Sequence, residues 1–310
     1  MTDLVSPAWC ELQYLYTLSK FGRKPPTQAM RTGSKIHQKL EDEVYTTVPV
    51  QVQSKEERFS LRMWNTIAGL RGLRETGLAR ELEIWGILHG QVVNGIIDEV
   101  SYACPDPGFE EHHHRPIYLV DVKTRSVPSL PTGPSLRPTH MQLMLYRKLL
   151  EALSLNAVDA ESILDRYDLD PLSPFSATFR QAMADLGPGD EALQYPTLLS
   201  LWSLLVTEAQ ITLPPTSLSP LLRAEFRYAK TGDVLGSELI TYAADVIDAY
   251  VDEEMAWWKG LREARGVEVE EAFKCRSCHF SDDCSWRMAK VDEATEKARL
   301  RRSPRGKSAV

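Results

Sequence analysis

The chain of 310 residues contains no stretch of eighteen apolar residues, so no helical membrane span is expected. No secretory signal opens it. Its start, Met1-Thr2-Asp3-Leu4, also lacks the Arg-rich, amphipathic character of an organelle transit peptide. No internal repeat is visible. Cysteine is scarce, with five in all, and without a secretory signal disulfides are not the expected use of them. Basic excess is absent too. The net charge of −7 argues weakly against a nucleic-acid partner, although carboxylates gathered in a metal site leave room for a narrow basic channel. Residues 285–310 run against this trend, with eight Lys or Arg against three Asp or Glu. At 43% apolar composition the chain can bury a full core, in one large domain or two interlocked ones.

The pattern that is present alternates helical and strand segments. Ser6-Pro7 reads as a helix start running to about Leu18, and Thr27 as the cap of a helix through His37, Leu40 and Val44. Residues 58–76 read as helix. Leu82–Leu88 and Gln91–Tyr102 read as strands joined by a His89-Gly90 turn, and Ile117–Thr124 as a buried strand. A helix over Thr139–Leu153 follows a Pro-rich loop at 126–138. Residues 157–206 read as helices broken by Pro171, Pro174 and Pro196. Ala224–Tyr228 and Val234–Ile240 read as a hairpin. Ala243–Arg265 reads as one long helix with Val246, Ile247, Tyr250, Val251, Met255, Trp258 and Leu261 on one side. His112-His113-His114 lies in a Pro- and Glu-flanked loop and is expected to be solvated.

Five residues carry the chemistry. Asp98 follows Gly95-Ile96-Ile97, Asp121 and Lys123 stand two apart on the apolar strand, and Gln142 and Tyr146 stand four apart on the next helix. Side chains alternate faces along a strand, so Asp121 and Lys123 share one, and residues four apart share a helix face. Two carboxylates and an ammonium group in this layout suit a metal-dependent phosphodiesterase. The carboxylates hold Mg²⁺ or Mn²⁺, and the lysine sits where negative charge develops. The backbone carbonyl of Val122 is a natural further ligand, and His37 a ligand or a contact to the outgoing phosphate. Arg125 and Tyr146 are candidate contacts to a nucleic-acid strand.

Cys275, Cys278 and Cys284 cluster near the C-terminus, and three thiols want a fourth ligand. Cys10 is the candidate and His279 its rival. Four such ligands suit an iron–sulfur cluster or structural Zn²⁺. Cys104 stands alone in a Pro-Gly loop.

These residues together resemble exonuclease V, a branch of the RecB-like PD-(D/E)XK nucleases with an iron–sulfur staple. The matching phrases are Trp9-Cys10-Glu11-Leu12-Gln13-Tyr14, Gly33-Ser34-Lys35-Ile36-His37 with Leu40-Glu41-Asp42-Glu43, Val93-Asn94-Gly95-Ile96-Ile97-Asp98, Asp121-Val122-Lys123-Thr124-Arg125, Gln142-Leu143-Met144-Leu145-Tyr146, and the three clustered cysteines. The resemblance implies an α/β fold with a PD-(D/E)XK core, a central mixed sheet flanked by helices, and a staple joining the N- and C-terminal segments. It implies one nuclease domain over residues 1–290, with its core at about 27–155 plus 221–240 and an iron–sulfur region at 6–20 with 243–290. Residues 291–310 are then a basic, flexible tail.

The same resemblance implies a [4Fe–4S] cluster on Cys10, Cys275, Cys278 and Cys284. It implies metal binding by Asp98, Asp121, the Val122 carbonyl and His37, and catalysis by Lys123 with Gln142 and Tyr146 in support. The implied activity is 5′→3′ single-strand DNA exonuclease, releasing short oligonucleotides in replication, repair or mitochondrial genome maintenance. The expected protein is a monomer working on single-stranded DNA, with a single-strand-binding protein as a further partner. The long Pro-rich insert resembles the fungal, mitochondrial type; animal relatives are nuclear. Asp121 stands where many relatives carry Glu. The competing readings are a flap endonuclease or RNA nuclease on the same site, and a non-catalytic, zinc-stabilised nucleic-acid-binding module.

Overall fold

The computed structural model describes all residues except 24, 47, 107–115, 187–188, 215 and 303–310. The histidine triplet at 112–114 lies outside the described residues. Three short elements open the chain: α1 (Thr2–Val5), a 3-10 turn at Ser6–Ala8, and α2 (Glu11–Phe21). The single helix expected from Pro7 to Leu18 is interrupted. Cys10 is extended, at φ −172°, so the second piece starts only at Glu11. Then come α3 (Gln28–Asp42), α4 (Lys55–Thr76), β1 (Leu78–Leu88), β2 (Gln91–Ser101), β3 (Ile117–Arg125) and α5 (Arg137–Ser154). Thr27 caps α3 by accepting from the Met30 N–H, and Ser54 caps α4 by accepting from the Glu57 N–H. His89 and Gly90 both take positive φ, which closes β1 onto β2 in a two-residue turn.

The broken helical stretch contains α6 (Ala160–Arg166), α7 (Ala177–Leu186), α8 (Glu191–Gln194) and α9 (Leu198–Thr212). Next are β4 (Leu218–Tyr228), β5 (Val234–Thr241), α10 (Ala244–Trp258), a 3-10 segment at Val269–Ser277, and α11 (Ser285–Arg302). Two boundaries differ from expectation. β4 begins six residues before Ala224, because Leu218 and Leu222 are needed to pair with β3. α10 stops at Trp258, where Lys259 leads into Gly260 at φ +70°. Its inward side is Ile247, Val251 and Met255, while Val246, Trp258 and Leu261 are exposed. The basic segment after residue 290 continues as helix to Arg302.

The five strands form one mixed sheet in the order β1-β2-β3-β4-β5. Only β3 and β4 run parallel, joined by the excursion through α5 to α9. α5 packs on β1, β3 and β4, while α4 packs on β1 and α9. α5 comes close because Gly86 offers no side chain to Leu149: a Cβ there would lie 2.4 Å from the Leu149 Cδ2. Leu143, Leu145, Leu149, Leu150 and Leu153 of α5 are each at most 1% exposed, and burial of each is worth about 2 kcal/mol. This places one face of α5 rigidly against the sheet and aims its first turns at the ends of β2 and β3. No helix among the described residues is long and apolar enough to cross a membrane.

Candidate active site

The site forms where β2 and β3 part. Their ladder pairs Ser101 with Tyr118, Val100 with Leu119 and Glu99 with Val120, and then stops. The next pair in that register is Asp98 and Asp121. In place of a ladder bond, the Asp98 carboxylate accepts from the Val122 N–H at 2.6 Å. That bond satisfies a buried backbone donor and fixes the orientation of the carboxylate. The other Asp98 oxygen lies 3.4 Å from His37 Nδ1, and the same nitrogen lies 3.2 Å from Glu81 Oε1.

Glu81 belongs to β1. The pairs Arg80/Glu99 and Leu82/Ile97 bracket it, which sets it opposite Asp98. Its φ is +50°, a left-handed conformation that costs a residue with a Cβ roughly 1 kcal/mol or more inside a strand. His37 arrives on α3, which approaches β3 through Gly33; a Cβ at Gly33 would sit 3.1 Å from Thr124 Oγ1. One ligand atom each from His37, Glu81 and Asp98 lie within 4.8 Å of one another. Two carboxylates and an imidazole converging at that spacing fit a divalent ion such as Mg²⁺ or Mn²⁺. The Asp98 and Glu81 carboxylates push the His37 imidazole up to about 10, against its burial.

Beside this trio runs a chain of polar contacts. Lys123 Nζ donates to Asp121 at 2.9 Å and to Gln142 Oε1 at 2.9 Å, and Gln142 Nε2 donates to the Tyr146 hydroxyl at 2.9 Å. Asp121 is fully buried. Burial raises its carboxyl, Lys123 pulls it back and Asp98 adds to the rise, which leaves it pushed up to about 6. Burial works against the Lys123 ammonium, but Asp121 and Asp98 outweigh it and hold the amine above its usual range. Burial likewise raises the Tyr146 phenol well above its ordinary value.

A cleft of about 570 Å³ opens over the site, lined by Met30, His37, Glu41, Glu81, Asp98 and Lys123 among others. The residues singled out from sequence therefore divide. His37, Asp98, Val122 and Lys123 line the cleft. Asp121, Gln142 and Tyr146 lie behind Lys123 and hold it. Tyr146 is 4% exposed and meets the site through Gln142, so its ring is not offered to a nucleobase. Arg125 ends β3 opposite Tyr228 and is not among the cleft's lining residues. Glu81 was missed. In Arg80-Glu81-Leu82-Glu83 it looks like any strand glutamate, and only its backbone angle sets it apart.

The cysteines gather elsewhere. Cys10, Cys275, Cys278 and Cys284 line one small pocket with Trp9, Gln13, Tyr16, Phe280 and Trp286. Burial raises the Cys10 thiol, the Gln13 N–H lowers it, and the three other sulfurs raise it further, as four mutually close thiolates must. Gln13 Nε2 also donates to Cys278 Sγ at 3.6 Å. The indole of Trp286 closes over Gly266, where a Cβ would fall 2.2 Å from the ring. Four sulfurs in a pocket that Trp9, Tyr16, Phe280 and Trp286 help to wall fit a thiolate-ligated iron–sulfur cluster or zinc. His279 is exposed and does not line the pocket. Cys104 is exposed and lies outside it.

Comparison with known proteins points to one family. The family model described as "Exonuclease V - a 5' deoxyribonuclease" matches residues 1–115 and 111–287. The chain is similar to "Exonuclease V" of Danio rerio, 26% identical over 301 residues, covering 96% of this chain and 72% of that protein. It is also similar to "Exonuclease V, mitochondrial" of Candida glabrata, 24% identical over 220 residues, covering 53% of this chain and 43% of that one.

Proposed function

The chain belongs to the exonuclease V family, and from that premise we propose that it is a metal-dependent exonuclease that hydrolyses single-stranded DNA from 5′ ends and releases short oligonucleotides. One observation carries the proposal: His37, Glu81 and Asp98 converge within 4.8 Å, beside a lysine that Asp121 and Gln142 hold in place.

In this reading His37, Glu81 and Asp98 would hold Mg²⁺ or Mn²⁺, and Asp121 and the Val122 carbonyl, on the adjoining strand, are proposed to complete the set. A divalent ion bound there supplies Lewis-acid polarisation of a phosphate oxygen and of water. The protein's own residues do the rest. Asp98 is held rigid by the Val122 N–H, so the trio keeps its shape before substrate arrives. Lys123 is kept protonated by Asp121 and presents its ammonium where a phosphodiester gathers charge in the transition state. It meets that charge with no reorganisation, because Gln142 and Asp121 already fix it. Tyr146 anchors Gln142 from the core side.

The four clustered cysteines are proposed to hold a [4Fe–4S] cluster. Ligation of Cys10 together with Cys275, Cys278 and Cys284 would close a very long loop and stabilise the fold through the unfolded state. The fungal relatives are named mitochondrial, and mitochondrial genome maintenance is the proposed setting, with the nucleus as the alternative. The protein is proposed to act as a monomer.

The test uses single strands labelled at the 5′ or the 3′ end, matched RNA, and closed single-stranded circles, each with and without Mg²⁺. Metal-dependent release of short products from the 5′ label, with circles intact, is expected. Cutting of circles would replace the exonuclease reading with an endonuclease, and preference for RNA would replace its substrate.

A further inference from the structure

Beside the cysteine pocket lies an ion chain, buried at Lys274 and Glu271 and half-exposed at Arg137, that neither site requires for its own chemistry. Lys274 precedes Cys275, and its side chain is 1% exposed. Its ammonium pairs with Glu271 at 2.7 Å, donates to the Trp9 carbonyl at 3.2 Å, and lies 4.6 Å above the Trp9 ring. Trp9 precedes Cys10, and both Trp9 and Lys274 line the cysteine pocket. Lys274 therefore ties the two stretches of chain that supply the cysteines.

Glu271, 4% exposed, turns its other oxygen the opposite way and accepts from Arg137 at 2.6 Å. Arg137 is the first residue of α5. Gln142, which holds Lys123, stands five residues on, about 7.5 Å along the helix axis. The 3-10 turn at Ser6–Ala8, just before Trp9 and Cys10, also packs on α5.

Electrostatics makes this arrangement unusual. A cation in the first turn of a helix opposes the helix dipole, and an ion pair this buried loses hydration that its attraction barely restores. Neither feature is favoured by stability alone. Glu271 answers both: it brings the negative charge that a helix N-terminus prefers, and it joins Arg137 to Lys274.

We propose that Arg137, Glu271 and Lys274 are positioning residues. They set the start of α5 against the cysteine pocket, so that the geometry at the cysteines is transmitted through Gln142 to the Lys123 ammonium. This rests on the nuclease and cluster assignments above. It adds the claim that the cysteine lobe supports turnover through one named contact rather than by general stability alone.

The test starts from the Arg137→Gln variant of the full chain. Arg137 is 45% exposed, and removing it leaves the buried Lys274–Glu271 pair intact. The expected variant keeps the visible absorption and melting temperature of the parent, while kcat falls about tenfold with KM for the strand unchanged, since sub-ångström misplacement of a positioning group is enough for such a loss. Arg137→Lys, which keeps the charge, should recover most of the rate.

Amide exchange over residues 138–146 supplies a readout that does not depend on turnover. Cys284→Ser should raise exchange there in the parent and add little in the Arg137→Gln background, because both changes break one chain. If Cys284→Ser gives no folded protein, the kcat and KM of Arg137→Gln decide the matter alone. A kcat within twofold of the parent overturns the coupling. So does a raised KM with kcat unchanged, which would make Arg137 a substrate contact. A parent without visible absorption or nuclease activity overturns the underlying assignment instead, and the coupling with it.

Discussion

Tyr146 packs on the bare Cα of Gly95: a methyl carbon added at Gly95 would come within 2.6 Å of the Tyr146 ring. The hydroxyl of that ring bonds Gln142, one turn back on α5, and through it reaches Lys123. Gly95→Ala should therefore push the ring outward and loosen the Lys123 ammonium. We expect overpacking to cost about 1–3 kcal/mol in stability, and turnover to fall further than in Tyr146→Phe, which loses only the hydroxyl. Melting curves and initial rates on a labelled single strand check both expectations. Equal rates for Gly95→Ala and the parent would show that this contact does not position the lysine.

Glu81 offers a test that separates stability from chemistry. Its φ of +50° is strained for any residue with a Cβ and natural for glycine. Glu81→Gly should melt above Glu81→Ala, by roughly the 1 kcal/mol that the left-handed conformation costs. Both should lose divalent-ion binding, because one of the three converging ligands is gone. Calorimetric titration with Mn²⁺, run beside thermal melts, reads the two effects independently. Parent-like Mn²⁺ affinity in both variants would remove Glu81 from the metal site.

Lys123→Met should abolish most activity while leaving the fold. The ammonium is the group aimed at developing negative charge, and loss of one such preorganised donor costs about 10²–10³ in rate. The buried partner, Asp121, does not unfold the protein: its carboxyl is already pushed up to about 6 with Lys123 beside it, and without that cation it rises further and takes up a proton. The measurement is single-turnover cleavage at saturating Mn²⁺ with circular dichroism as the control. A folded variant that cleaves at the parent rate would exclude Lys123 from the reaction.

The parts of this architecture that could be read from sequence follow from short-range rules. The Asp121/Lys123 pair was legible because strand alternation puts them on one face, and Gln142/Tyr146 because helical spacing does the same. The His89-Gly90 turn and the Thr27 cap were legible from local backbone preference. What could not be read depends on tertiary context. Glu81 gains its place from a backbone angle that tertiary packing enforces, and nothing in Arg80-Glu81-Leu82-Glu83 distinguishes it from Glu83. The division of labour between Asp98, in the cleft, and Asp121, behind Lys123, depends on where the β2–β3 ladder ends. The start of β4 at Leu218 was hidden because pairing with β3 extends it past the hairpin signal, and the end of α10 at Trp258 because the apolar period runs on to Leu261.

The cysteine pocket gives a prediction that activity does not enter. Cys278 receives the Gln13 side-chain N–H and shares the pocket with the three other sulfurs. Cys278→Ser should lose the brown visible absorption of a thiolate-bound cluster, and it should melt well below the parent because the link between residue 10 and residues 275–284 is weakened. Iron and zinc analysis of the parent distinguishes the two metals that four thiolates accept. An unchanged spectrum and melting curve would remove Cys278 from the ligand set.

The last prediction concerns pH and lies in the joint between α10 and the N-terminal segment. Glu254 is 3% exposed and faces Glu11, whose carboxylate is engaged by Arg262 at 2.6 and 2.7 Å. Burial raises the Glu254 carboxyl first, the Glu11 charge raises it further, and Arg262 only partly offsets them, leaving it pushed up to about 8 from an ordinary 4.5. Between those two values the folded chain keeps a proton that the unfolded chain has released. The folded state thus binds more protons, and stability must fall as pH rises through that window. The melting temperature should therefore drop between pH 5.5 and 8.5, and Glu254→Gln, which mimics the protonated form at every pH, should flatten the drop. A parent and variant with the same slope of melting temperature against pH would mean that Glu254 is ionised in the folded protein, with its charge absorbed by Arg262.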